Sequence, residues 1–524
     1  MNNRKVYIFF FGVLFFLNVI LAGITGKLSG RVTNKETGEP LIGANVMVEG
    51  TVLGAATDID GNYFILQIPP GTYTVRFTMI GYQSVVMNDV RVRVDLTTSL
   101  DGKLNESAVG LEEVVVQAER PMIQTDVTYS QANISSEEVD MLPVEEFEDV
   151  LALQAGVVST GGEIHVRGGR GGEISYMVDG ITVTDPYNSG MAVEIENNSI
   201  QELQFISGTF NAEYGQAMSG IVNIVTKDGD YSEYSGSISS SLGDYLISSD
   251  RVSFSNSSYP LFPQVDNLNL DNITDLKANF EGPVIPGVLS FFVSGRKKKN
   301  NGYLFGEQIF HPNSYLWSDA LNMFLIDPDV GLGNGDQLLQ DSLWSPANYQ
   351  DSLFMYVDSL RNNDQFDWVS MNTSDQLTYQ AKLSWRVTPT IKFGYNRMYS
   401  NTKSQNYSHG YRWNPDGRPF SFNTRTGDII RTDISINQST FANIMFSNAV
   451  NHYRTHLSSD PEFYNIIDDL AFDDGFWGSA LLDSASASIY DTDPRIFDYA
   501  TGNNYEVGGN YMDIYSRKSI VRTI

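Results

Sequence analysis

From Lys27 to Lys103 apolar and polar residues alternate in short runs, "KLSGRV", "GANVMVEG", "NYFILQ", "GTYTVRFTMIGY" and "VRVRVD", broken by Gly, Pro, Asn and Asp. Tyr73, Val75, Phe77 and Met79 fall on one face of such a run and Thr74, Arg76 and Thr78 on the other, the period of a half-buried strand. Several runs of this kind with turn residues between them predict a small β-sandwich over 27–103. The "DIDGNY" stretch, Asp58 to Tyr63, reads as an Asp-Gly hairpin turn, because the later Glu that completes a calcium loop is missing.

Past residue 130 the spacing changes. Ser135 with Glu138 three residues on forms a capping box, Phe147, Val150, Leu151 and Gln154 follow at helical spacing, and Gly156 is a stop, which predicts one short amphipathic helix. Strands resume in "EIHV", in "ISYMV" and "ITV" on either side of an Asp179-Gly180 reverse turn, and in "GIVNIVTK". After Asp228 the runs lengthen. Leu383, Trp385 and Val387 alternate with Lys382, Ser384 and Arg386, and beyond the Thr388-Pro389 turn Ile391, Phe393 and Tyr395 alternate with Lys392, Gly394 and Asn396. One face suits lipid and the other water, as in a transmembrane barrel hairpin; a soluble sandwich shows the same alternation, so the hairpin leaves both open. Leu304 to Asp375 is aromatic and acidic and predicts an extended outer loop. In it Trp317, Trp344 and Trp368 are candidates for stacking on a ligand, the other account being a loop folded over its own aromatics.

Composition narrows the function. Arg4 and Lys5 precede an apolar run from Val6 to Leu21 and then Ala22-Gly23, the layout of a secretory signal peptide over 1–23, with a membrane anchor as the alternative. There is no cysteine, so no disulfide staples an exported chain of this length. Lys and Arg number 34 against 63 Asp and Glu, a formal charge of −29, which counts against nucleic acid. The "RGGRGG" at Arg167 to Gly172 would be an RNA-binding box in a disordered tail, but β-prone segments flank it, and Ile174 stands where a dinucleotide fingerprint needs its third glycine. No H-E-x-x-H or G-x-S-x-G is present, and His452 and His456 lack the intervening Glu. No enzyme, cofactor or metal site is therefore predicted; the acidic clusters of the outer loop and of "IDDLAFDDG" supply calcium-type oxygens only.

Particular phrases carry a resemblance. "SGRVTNKETGEPLIGANVMVEGT" with "TDIDGNYFILQIPPGTYTVRFTMIGYQ" resembles the carboxypeptidase-regulatory-like domain found at the front of outer-membrane receptors of Bacteroidetes-type bacteria. "VRGG", "YMVDGITV" and "AEYGQAMSGIVNIVTK", in that order, resemble the plug domain of TonB-dependent outer-membrane receptors. "GLEEVVVQAERP" (110–121) resembles a TonB box at Glu112, Glu113, Val114, Val115 and Val116. An unpaired extended segment offers backbone groups that a second protein can complete as an added strand. The same valines also fit the last strand of the preceding domain, and both readings stay open. The likeness is good from Lys27 to Arg296 and weaker beyond.

The resemblance implies a mainly β chain: signal peptide, β-sandwich (27–103), TonB-box-like linker (110–121), α+β plug (122–228), then an incomplete antiparallel transmembrane β-barrel (229–524). It implies an importer in the outer membrane, worked by a TonB-type energy-transducing protein of the inner membrane, surrounded by outer-membrane lipid and taking an unidentified small or oligomeric ligand, with a surface lipoprotein lid as a further candidate partner. It implies that Arg167 and Arg170, freed to turn by Gly168 and Gly169, lock the plug by pairing with carboxylates of the barrel wall, beside the Asp179-Gly180 turn. A plugged barrel needs about twenty-two strands, whereas the pattern gives roughly seven or eight by Ser447. The chain is thus expected to be the front of a longer receptor, and its sheet to stay open. A secreted or surface β-rich adhesion protein is the alternative.

Overall fold

Short alternating strands can bury only one face each, so the N-terminal segment closes two sheets on one another. In the computed structural model, residues 24–106, 130–308 and 367–456 are described, with gaps at 145, 161–162, 209, 211–213, 215–216, 246–267, 413 and 438–439, together with the backbone of isolated strands such as Val114–Gln117 and Tyr515–Thr523. The signal segment lies outside the described residues, as do Trp344 and "IDDLAFDDG". One N-terminal sheet sets Gly26–Asn34 between Asn62–Ile68 and the parallel strands Thr97–Ser99 and Gly102–Leu104. The other runs Gly54–Ala56, Asn45–Val48, Gly71–Thr78, Val85–Val92, Val114–Gln117. Leu28, Val32, Ile68, Val75, Phe77 and Leu104 fill the space between them without solvent contact. Tyr63 meets Phe77 edge to face at 5.9 Å. Gly102 is required there, since a Cβ would lie 2.7 Å from the Phe77 ring.

The next sheet has the order Ser130–Ser135, Ile200–Ser207, Gly220–Thr226, Ile174–Val178, Ile181–Thr182. Ile174–Val178 and Gly220–Thr226 run parallel and are buried at every position, the signature of a sheet covered on both faces. The capping box forms as expected: Ser135 N donates to Glu138 Oε2 at 3.0 Å and Glu138 N to Ser135 Oγ at 3.4 Å. The single helix expected after it is instead two, Ser136–Met141 and Phe147–Ala152. Pro143 is the reason, because the residue before a proline avoids the helical region, and Leu142 is extended at φ −80°, ψ 138°.

The third body is an antiparallel meander of eight strands in chain order: Ser235–Gly243, Ile273–Ile285, Leu289–Asn300, Ser374–Thr388, Ile391–Ser404, Phe420–Asn437, Thr440–His456 and Tyr515–Thr523. The first and last strands do not pair, so among the described residues the sheet stays open, as the strand count led one to expect. Its faces are sorted inside out relative to a soluble sheet. On Ser374–Thr388, Leu377, Tyr379, Leu383, Trp385 and Val387 are exposed, whereas Thr378, Gln380, Lys382 and Ser384 are buried. Apolar side chains outward and polar ones inward are what lipid outside and a filled interior demand. This resolves the choice between sandwich and barrel that the alternation left open.

Candidate functional site: the plug against the barrel wall

Two-residue hairpins favour type I′ turns, which need positive φ at both central residues. Asp179 (φ 50°) and Gly180 (φ 81°) adopt it between Ile174–Val178 and Ile181–Thr182, and the turn leaves the Asp179 carboxylate 2% exposed against the barrel wall. Asp179 Oδ1 accepts from Thr226 N at 2.9 Å. Its Oδ2 accepts from Asn396 Nδ2 and from Lys382 Nζ, both at 3.1 Å. The same ammonium reaches Thr226 O at 3.1 Å and Asp228 Oδ1 at 2.9 Å, and Lys392 pairs with Asp228 from the neighbouring barrel strand. A buried lysine with carboxylates and hydroxyls around it is a satisfied charge; without them it would be costly.

A second clamp stands on Arg296. It holds Asp275 of the adjacent barrel strand with two bonds, 2.9 and 2.7 Å, and extends Nη1 to Glu196 of the plug at 3.2 Å. Arg425 pairs with Glu194 in the same way. Burial raises the carboxyls of Glu194 and Glu196, and Arg425 and Arg296 pull them back toward the charged form. Between the clamps runs an apolar seam, in which Met398, Ile429, Met445 and Ala449 of the inner wall join the plug core. Gly427 lets the two surfaces meet, since a Cβ there would fall 2.6 Å from Val193.

The polarity of these contacts is the reverse of the one expected. The cations stand on the barrel and the anions on the plug; Arg167 and Arg170 are exposed and make no ion pair with the barrel among the described residues. Both follow the short hairpin of Val157–Thr160 and Glu163–Val166, where their head groups stay in water and need no carboxylate. Arg167 (φ 50°) and Gly168 (φ 78°) instead reverse the chain, and Gly169 has Ser219 where a Cβ would fall, 2.5 Å away. Of the residues expected to lock the plug, Asp179 and Gly180 lie at this contact between plug and barrel wall, and Arg167, Gly168, Gly169 and Arg170 do not. The sequence signal for Lys382 was its place on the polar face of an alternating strand, with Ser384 and Arg386.

Residues 28–116 match the CarboxypepD_reg-like domain and residues 123–222 the TonB-dependent receptor plug domain. Among curated proteins, the TonB-dependent transporter Oar of Myxococcus xanthus is 26% identical over 258 residues, 47% of this chain and 24% of its own length. The TonB-dependent receptor SusC of Bacteroides thetaiotaomicron is 28% identical over 251 residues, 44% of this chain and 24% of its own. Residues 123–222 carry the plug domain of TonB-dependent receptors, and the chain is similar to members of that family. It spans about a quarter of the length of the curated relatives it matches. Among solved structures, the siderophore receptor PirA of Pseudomonas aeruginosa aligns at 15% identity with a TM-score of 0.35, over 62% of this chain and 43% of that one, too low a score to support a conclusion.

The other expected sites fall as follows. Val114–Val116 form, with Gln117, the fifth strand of the second N-terminal sheet, parallel to Val85–Asn88; Glu112 and Glu113 lie outside the described residues. Trp317 is on the strand Tyr315–Ser318, and Trp368 pairs with Glu307 at the root of the outer loop. His452 lies on the Thr440–His456 strand, and no group of metal-ligating side chains occurs among the described residues.

Sequence reasoning missed the seam between the N-terminal domain and the plug. Arg91 donates to Ser135 Oγ at 2.9 Å and to Glu138 at 3.2 Å, Tyr214 OH donates to Asp95 at 3.0 Å, and Val94 N donates to Glu202 at 3.4 Å. A chamber of about 620 Å³ remains between this domain, the plug and the Thr388–Ile391 barrel turn. Burial pushes the Glu202 carboxyl up to about 7, with Asn133 and the Val94 amide acting the other way. The folded protein thus keeps a proton that the unfolded chain releases near 4.5. The stability this proton brings is complete below pH 4.5 and is lost as pH rises through 7, at most about 3 kcal/mol. Thermal unfolding of the receptor in detergent is expected to come at lower temperature at pH 8 than at pH 5, and Glu202→Gln to remove most of that difference.

Proposed function

We propose that the chain gates energised import across the outer membrane: the barrel spans the lipid, the plug blocks the lumen, and a TonB-type protein pulling on the chain ahead of the plug opens it. The observation that carries this is the buried Asp179, Lys382, Asp228 cluster, which ties the plug to a sheet whose apolar face points outward. An outward belt in which Trp385 and Ile444 stay 46% and 60% exposed fits lipid and not water. Plug carboxylates held by barrel cations suit a gate, because ion pairs can be broken by pulling and re-formed without repacking a core. The ligand enters from the side of the 304–375 loop, where Trp368 would meet it, and no chemical step on the ligand is part of this reading. Adhesion has no observation in its favour.

The test removes the gate. The whole receptor lacking residues 122–228 is expected to insert in the outer membrane, to keep heat-modifiable migration, and to sensitise cells at least tenfold to a glycopeptide antibiotic too large for ordinary porins. If the inserted variant leaves cells as resistant as the intact receptor, the plug is not what closes the pore.

A further inference from the structure

Among the described residues Val114–Gln117 is paired on one side only. Val85 stands opposite Val114, Val86 opposite Val115, Met87 opposite Val116 and Asn88 opposite Gln117, all in parallel register. The sheet order ends at this strand. The match to the CarboxypepD_reg-like domain also runs to residue 116, so the segment belongs to that domain by sequence as well as by pairing. We propose that the N-terminal domain stores the box segment as an exchangeable edge strand, which an extended strand of a TonB-type partner must draw off Val85–Asn88 before force can reach the plug. This rests on the reading of residues 112–116 as the TonB box.

Three features fit storage rather than permanent incorporation. The pairing is four residues long and parallel, and parallel ladders are slightly less stable per residue than antiparallel ones. On its other side the storing strand has antiparallel pairing with Gly71–Thr78, so it keeps a neighbour when the segment leaves. Its far end carries Arg91, which bonds the capping box of the first plug helix through Ser135 and Glu138. The strand that holds the box therefore also touches the plug.

The covalent route is equally direct. The segment leads by residues 118–129 into Ser130–Ser135, which is itself the terminal strand of the plug sheet and, among the described residues, pairs only with Ile200–Ser207. Pulling on the segment thus acts in turn on two edge strands, each of which gives up a single ladder. A strand-shaped partner competes with Val85–Asn88 for the same backbone groups. Its apparent affinity is then reduced by the fraction of time the segment is stored.

These 524 residues contain no cysteine, so with any cysteine elsewhere in the whole receptor first replaced by serine an introduced pair makes a clean test. In the whole receptor in outer-membrane vesicles, Val86→Cys with Val115→Cys places two thiols at paired positions. The probe is the purified periplasmic domain of the host's TonB-type protein, and capture is read with the pair oxidised and again after reduction. The expected result is a disulfide in the resting receptor, with capture at least tenfold weaker when it is closed and recovered when it is opened; the reduced state of the same molecules controls for folding. Failure of the disulfide to form in the resting receptor, or equal capture in both states, overturns storage. The single variant Val115→Pro, unable to donate to an incoming strand, separates the two ideas. If it loses capture while the clamp has no effect, the box reading stands and storage falls; if it captures as the parent does, both fall.

Discussion

Replacing Lys382 with methionine is expected to loosen the plug by roughly 3 to 5 kcal/mol, the usual cost of leaving a buried charge without its partner. Methionine is close to lysine in length, so the wall keeps its shape and the loss is electrostatic. Asp179, 2% exposed, would keep Thr226 and Asn396 but no cation, while Asp228 would keep Lys392. Protease sensitivity of residues 122–228 in outer-membrane vesicles and antibiotic entry into cells should both rise by more than tenfold. Lys392→Met is the matched comparison. Its carboxylate partner is 30% exposed and retains Lys382, so its effect should be the smaller by far. Asp179→Asn combined with Lys382→Met should recover much of the loss, because removing both charges leaves no buried ion behind. Equal effects of Lys382→Met and Lys392→Met would show that the buried cluster is not the lock.

Phe147→Ala should cost about as much, roughly 3 to 5 kcal/mol, by a different route. Phe147 is 1% exposed and opens the Phe147–Ala152 helix, whose Val150 and Leu151 are fully buried. Six residues are far too few for a helix to persist alone, so this one exists only through its packing. Removing the ring leaves a cavity between the helix and the plug sheet. The check is the temperature at which the plug becomes protease-sensitive in the intact receptor. Leu153→Ala, one residue past the helix at a 60% exposed position, should leave that temperature nearly unchanged.

The contrast between Lys382 and Arg167 marks how far the chain can be read unaided. "RGGRGG" draws attention because arginine among glycines is rare, and a guanidinium beside a tight turn is a reasonable clamp. Whether such a group is enclosed depends on where its hairpin ends, and that is set by the packing of Val157–Thr160 and Glu163–Val166 on the rest of the plug. Lys382 was in view as a polar position of an alternating strand, but alternation says only that it shares a face with Ser384 and Arg386. What faces it across the lumen comes from a turn some two hundred residues earlier in the chain. Pro143 is a different case: it was legible, since a proline disfavours helix in the residue before it, yet the helical spacing of Phe147, Val150, Leu151 and Gln154 behind the Ser135 capping box outweighed it.

The sequence by itself determined the short alternating strands at the front, the capping box, the reverse turn at Asp179-Gly180 and the alternating faces of the barrel strands. These depend on neighbours within a few residues, on backbone preference and on the period of apolar positions. Only the tertiary structure decided which face looks outward, which carboxylate meets which cation, and that Val114–Gln117 lies along Val85–Asn88. Those outcomes depend on burial and pairing between segments distant in the chain, and a local pattern of charge and hydropathy is compatible with several such partners until the surfaces meet.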